Sequence, residues 1–135
     1  AHGAAAEVLK PGNHGSTFGG NPLAMRAGVE TMRIMEEDGL LTNAADVGAH
    51  LKAALQQALG SVPGVNEVRG QGLIIGVELD RPCGVLIERA AAAGLLLSVT
   101  AERVIRLVPA LTLTRAEADE IVALLTPLVQ ALLAE

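Results

Sequence analysis

Aromatic side chains are almost missing: Phe18 stands alone, with no Trp or Tyr in 135 residues. A chain that is 50% hydrophobic can still build a core, but Ala, Leu and Val must fill it, which favours closely packed helices. Cys83 is the single cysteine, so an internal disulfide is excluded and a reducing, cytoplasmic compartment is expected. No activating pattern surrounds it, and it reads as a small apolar residue beside Pro82. Apolar runs such as Leu95–Leu97 are too short to cross a bilayer, and no basic stretch leads into an apolar one at the start. No membrane partner and no signal peptide are therefore expected. Basic residues are outnumbered, 10 against 15, and scattered, which speaks against a nucleic-acid surface. His2, His14 and His50 lack the spacing of metal ligands, so no metal site is expected.

The length suits one compact domain with room for a short piece of a neighbouring one. Ala1 is not an initiator methionine, and residues 1–20 are glycine-rich with little periodicity, so a chain cut from a longer one is expected. Asn21 then reads as a helix cap with Pro22 at the first helical position, opening a helix to Asp38 that Gly39 stops. A second helix is expected from Ala44 to Leu59, with Val47, Leu51, Leu55 and Leu59 on one face. The period then changes to two. Val65–Arg69 and Leu73–Leu79 read as strands, either a hairpin or one strand bent at Gly70-Gln71-Gly72. A helix over Val85–Ala93 and short strands over Leu95–Val99 and Val104–Val108 follow. Thr114 and Glu117 form a capping box for a last helix, which Pro127 should bend or divide. This order predicts an α+β fold: a small mixed or antiparallel sheet with helices packed on a face.

Two places can carry chemistry. In His14-Gly15-Ser16-Thr17-Phe18-Gly19-Gly20-Asn21-Pro22, two hydroxyls sit among glycines just before a helix start. Such a loop can grip a phosphate through hydroxyls and free N–H groups, or it can simply satisfy its own backbone. Arg106 lies in the apolar strand Val104-Ile105-Arg106-Leu107-Val108, on the face of Val104 and Val108. Its planar fork suits a carboxylate. An edge strand with Arg106 facing water or a nearby Glu is the competing reading.

Three strings occur in order: LKPGNHGSTFGGNPLA from Leu9 to Ala24, VRGQGLIIGVEL from Val68 to Leu79, and VIRLVPALTLT from Val104 to Thr114. Together they resemble the C-terminal part of the class III, pyridoxal-phosphate-dependent aminotransferases, nearest the acetylornithine and ornithine branch. The resemblance implies that residues 1–20 end a large cofactor-binding domain and residues 21–135 form the C-terminal small domain of a fold-type I transferase. It implies a homodimer in which Ser16 and Thr17 reach the phosphate of pyridoxal 5'-phosphate held in the partner's site. It assigns Arg106 to the substrate's α-carboxylate. The implied reaction passes an amino group from N-acetylornithine to 2-oxoglutarate, as in arginine biosynthesis.

The resemblance also implies a Schiff-base lysine some tens of residues ahead of Ser16, and nothing in this chain matches it. Lys10 belongs to the loop motif, and Lys52 reads as a solvent-facing helix residue. The aspartate and the aromatic that the family sets against the cofactor ring are likewise unmatched. Turnover by this segment alone is therefore not expected. Within the family, ornithine, succinylornithine or 4-aminobutyrate are alternative donors. Outside it, a non-catalytic module binding a small anionic ligand fits the same residues.

Overall fold

A computed structural model describes residues 2–8, 12–13 and 15–135 of the chain. It divides into two compact units, 1–38 and 39–135.

The first unit holds a short 3-10 turn, Gly3–Glu7, and helix α1, Pro22–Glu37. The Asn21 side chain accepts the Ala24 N–H at 3.0 Å, so the cap and the proline work as the sequence suggests. None of the α1 residues is buried; Leu23, Met25, Val29 and Met32 are exposed, and Arg33 pairs with Glu30 and Glu37 along the helix.

The second unit carries α2 (Leu40–Leu59), β1 (Val65–Gln71), β2 (Ile74–Leu79), α3 (Leu86–Ala92), β3 (Ser98–Thr100), β4 (Val104–Leu107) and α4 (Arg115–Ala134). Helix α2 begins four residues earlier than the sequence suggests. Gly39, at φ 63°, caps the helix directly, and Asn43 is tied to the Leu111 and Leu113 carbonyls at 2.7 and 3.0 Å. Strands β1 and β2 form an antiparallel hairpin, which decides between the two readings of that region.

The sheet is antiparallel throughout, in the order β1-β2-β4-β3. Its inner face presents Val68, Ile75, Val77, Leu79, Ile105 and Leu107, all buried. Against them pack Leu51, Leu55 and Leu59 of α2 and Leu125 and Val129 of α4. Burying each such side chain contributes about 1.5–3 kcal/mol. Aliphatic side chains, mostly leucine and valine with Ile75 and Ile105, thus make the core, as the lack of aromatics requires.

Pro127 neither ends nor divides α4, which runs unbroken for 20 residues. Leu125 and Val129, one turn apart and fully buried, hold the helix on both sides of the missing N–H. Lys52 is also not simply solvent-facing: it is half-buried and donates to the Gly70 carbonyl at 3.2 Å, tying α2 to the hairpin. The same hairpin rests on α2 at Gly48, where an added Cβ would lie 2.1 Å from the Gly72 oxygen.

Candidate functional site

In the loop before α1, residues 15–20 are exposed. Ser16 Oγ accepts the Gly19 N–H at 3.0 Å, leaving the hydroxyl hydrogen to donate outward. A Cβ on Gly19 would crowd Ser16 at 3.0 Å, so a glycine there permits this tight bend. The Thr17 hydroxyl makes no hydrogen bond among the described residues. No acidic residue occurs between Val8 and Val29, so no negative charge in the local sequence opposes an anion. An exposed hydroxyl pair of this kind suits phosphate oxygens. His14 and Lys10, which belong to the same motif, lie outside the described residues.

Arg106 stands on the outer face of the sheet, the one turned away from the leucine core. Strand β4 lies between β2 and β3, so it is not an edge strand as one reading supposed. The register places Arg106 opposite Gly76 on β2 and opposite Ser98 on β3, while Gly76 also faces Arg69 on β1. One row of the outer face therefore reads Arg69, Gly76, Arg106, Ser98. Gly76 contributes no side chain, and an open trough of about 370 Å³ runs beside Arg106, lined also by Arg69, Ile74, Thr100 and Val104. A second hollow of about 250 Å³ flanks Arg106 on the β3 side, against Leu96, Ser98, Val108 and Pro109.

The charges on this face are unequally spent. Arg69 donates to Glu78 at 2.7 Å and to Glu67 at 2.8 Å. These bonds, Glu78 first, strengthen its hold on its proton. Arg103 shares Glu78 at 3.5 Å. Arg106 has no carboxylate partner among the described residues; its Nε–H goes to the Ser98 hydroxyl at 3.1 Å. Among the described arginines, Arg26, Arg33, Arg69, Arg81, Arg89 and Arg103 form ion pairs, whereas Arg106 and Arg115 do not. Arg106 is exposed, so no burial cost attaches to the free guanidinium. The nearby-Glu reading of Arg106 does not hold.

Ser98 is a site neighbour that the sequence reading missed. The signal was available: a hairpin closing over Ala101-Glu102-Arg103 puts Ser98 across from Arg106. Cys83 is fully buried, its thiol pushed up by desolvation, which suits a packing role and not nucleophilic chemistry. His50 of α2 meets Asp119 of α4 at 2.6 Å, a link between the two helices, and there is no metal cluster among the described residues. No described helix is long and apolar enough to cross a membrane.

Comparison with known proteins gives one consistent family. The family model for class-III aminotransferases matches residues 1–129. An acetylornithine aminotransferase of Bordetella bronchiseptica is 57% identical over 135 residues, covering 100% of this chain and 34% of that protein. The acetylornithine aminotransferase of Nitrosomonas europaea is 46% identical over 129 residues, 96% of this chain and 33% of its own. Among solved structures, the ornithine aminotransferase of Toxoplasma gondii superposes with a TM-score of 0.79 at 36% identity, over 94% of this chain and 31% of that one. The chain thus spans about a third of the length of the curated relatives it matches. From the family match and the shared fold together, the chain belongs to the class III aminotransferases.

Proposed function

We propose that this chain is the C-terminal part of an aminotransferase that moves the amino group of N-acetylornithine, or a close ω-amino relative, to 2-oxoglutarate. Pyridoxal 5'-phosphate, when bound, supplies the electron sink and carries the amino group between the two half-reactions. In this reading Arg106 binds the α-carboxylate that donor and acceptor share. Its support is one observation: a guanidinium on the outer face with no carboxylate partner among the described residues, beside an open trough, while its neighbours Arg69 and Arg103 are paired. A two-pronged bond to a carboxylate would fix the orientation of either substrate.

Ser16 and Thr17 would donate to the cofactor phosphate across a homodimer interface. Their exposed hydroxyls and the lack of nearby acids in the sequence support that role. The lysine joined to the cofactor would lie outside this segment, since Lys52 is engaged with the Gly70 carbonyl. A cytoplasmic setting and a place in arginine biosynthesis follow from the same reading.

The test is Arg106→Ala in the intact enzyme. Losing a charge-assisted pair of this kind costs about 2–5 kcal/mol, seen chiefly as a raised KM for both donor and acceptor. Unchanged KM and kcat for every amino-acid substrate would overturn the assignment. Comparing N-acetylornithine, ornithine, succinylornithine and 4-aminobutyrate by kcat/KM decides the donor.

A further inference from the structure

The Ser98 hydroxyl meets Arg106 twice. Its oxygen accepts the Nε–H at 3.1 Å, and it lies 3.4 Å from the Arg106 carbonyl oxygen, to which it can donate. Both contacts come from one register pair, Ser98 on β3 opposite Arg106 on β4. Ser98 is half-buried, whereas Arg106 is exposed, so the better-fixed group of the two is the hydroxyl.

A guanidinium offers a carboxylate two forks: the side fork of Nε with one Nη, and the end fork of the two Nη groups. Ser98 occupies Nε–H, which removes the side fork and leaves the end fork free. Gly76, on the other flank of Arg106, sets no side chain in the way. The direction of approach to Arg106 is thereby restricted from one side and left open on the other.

We propose that Ser98 is a positioning residue for Arg106, selecting the end fork of the guanidinium for the ligand carboxylate. This rests on the reading that Arg106 binds that carboxylate. Without the hydroxyl, the side chain turns more freely about its stem, and both forks compete for the ligand. A carboxylate taken by the wrong fork carries the substrate's amino nitrogen or oxo carbon to a wrong place. Binding and orientation then fall together, but the fold does not.

The experiment uses the intact, cofactor-loaded enzyme with Ser98→Ala, Ser98→Thr, Arg106→Ala and the double variant Ser98→Ala/Arg106→Ala. Readouts are KM and kcat for donor and acceptor, and the Kd of glutarate, a non-reacting dicarboxylate. Ser98→Ala is expected to raise KM and the glutarate Kd roughly three- to tenfold, as for loss of one ordinary hydrogen bond at an exposed site. Ser98→Thr, which keeps the hydroxyl and suits a strand, should restore both to within about twofold. Added to Arg106→Ala, Ser98→Ala should cost nothing more, since no guanidinium remains to orient. If Ser98→Ala leaves KM and Kd unchanged while Arg106→Ala raises them, the positioning role is wrong and the carboxylate reading stands. If Arg106→Ala itself changes nothing, the carboxylate reading fails first. An equal Ser98→Ala penalty with and without Arg106, or no rescue by threonine, also overturns the proposal.

Discussion

Glu78 holds the Arg69 guanidinium at 2.7 Å, directly across the outer face from the unpaired Arg106. The carboxylate is the more buried member of that pair, and Arg103 leans on it as well, at 3.5 Å. Glu78 thus pairs with one cation beside the trough and half-engages another, while Arg106 has no carboxylate partner among the described residues.

Glu78→Gln is expected to leave Arg69 held by Glu67 alone, freer to swing toward the trough as a second cation beside Arg106. Because the pair is exposed, the effect is small: up to about fivefold tighter binding of glutarate. The gain should shrink as ionic strength rises. Arg69→Met in the same background should abolish it. Calorimetry at two salt concentrations checks this, and unchanged affinity in Glu78→Gln would show that Arg69 never reaches the ligand.

The cap of α4 gives a pH-dependent outcome. Thr114 Oγ accepts the Glu117 N–H at 3.2 Å, and Glu117 accepts the Thr114 N–H and hydroxyl, both at 2.8 Å. The Thr114 backbone N–H, then its hydroxyl, hold the Glu117 carboxyl below its ordinary value of 4.5. A depressed folded pKa stabilises fully above the unfolded value, and this contribution is lost as pH falls through the folded one. Thr114→Ala should therefore lower stability by about 1 kcal/mol at neutral pH. The gap in Tm between the protein and the variant should narrow as pH falls below the ordinary carboxylate range. A gap that stays constant down to acid pH would contradict this account of the cap.

Gly48→Ala tests the seat of the β1–β2 hairpin. Alanine favours a helix by about 1 kcal/mol over glycine. Here, however, its Cβ would lie 2.1 Å from the Gly72 oxygen, so α2 or the hairpin must move. Overpacking of this order costs about 1–3 kcal/mol, and the net change is expected to be destabilising. The shift would also carry Arg69 and Gly76, so glutarate binding should weaken along with Tm. A stabilised variant would mean the hairpin yields without strain.

Much of this was legible in the sequence where the cause is local. Asn21 with Pro22 and Thr114 with Glu117 announce their helices because cap and helix lie within a few residues of each other. The leucines of α2 and the alternation of β2 announce their buried faces in the same way. What stayed hidden depends on partners far along the chain. The start of α2 is held through Asn43 by carbonyls 68 and 70 residues away. Lys52 finds its acceptor 18 residues on, across the hairpin. For Arg106, alternation gives the face but not the strand order, and only the order reveals an interior strand with Gly76 on one side and Ser98 on the other. That Pro127 would not divide α4 was hidden because local propensity carries no information about the packing that keeps the helix whole.

The division of labour between the two sides of the β1-β2-β4-β3 sheet has an evolutionary corollary. One side is committed to leucine, isoleucine and valine and tolerates little exchange; the other, buried Val104 apart, is largely open to water. Replacements at the exposed Thr100 or Ile74 can accumulate there without unsettling the layer beneath. Related chains are thus free to diverge in what they recognise while continuing to fold alike.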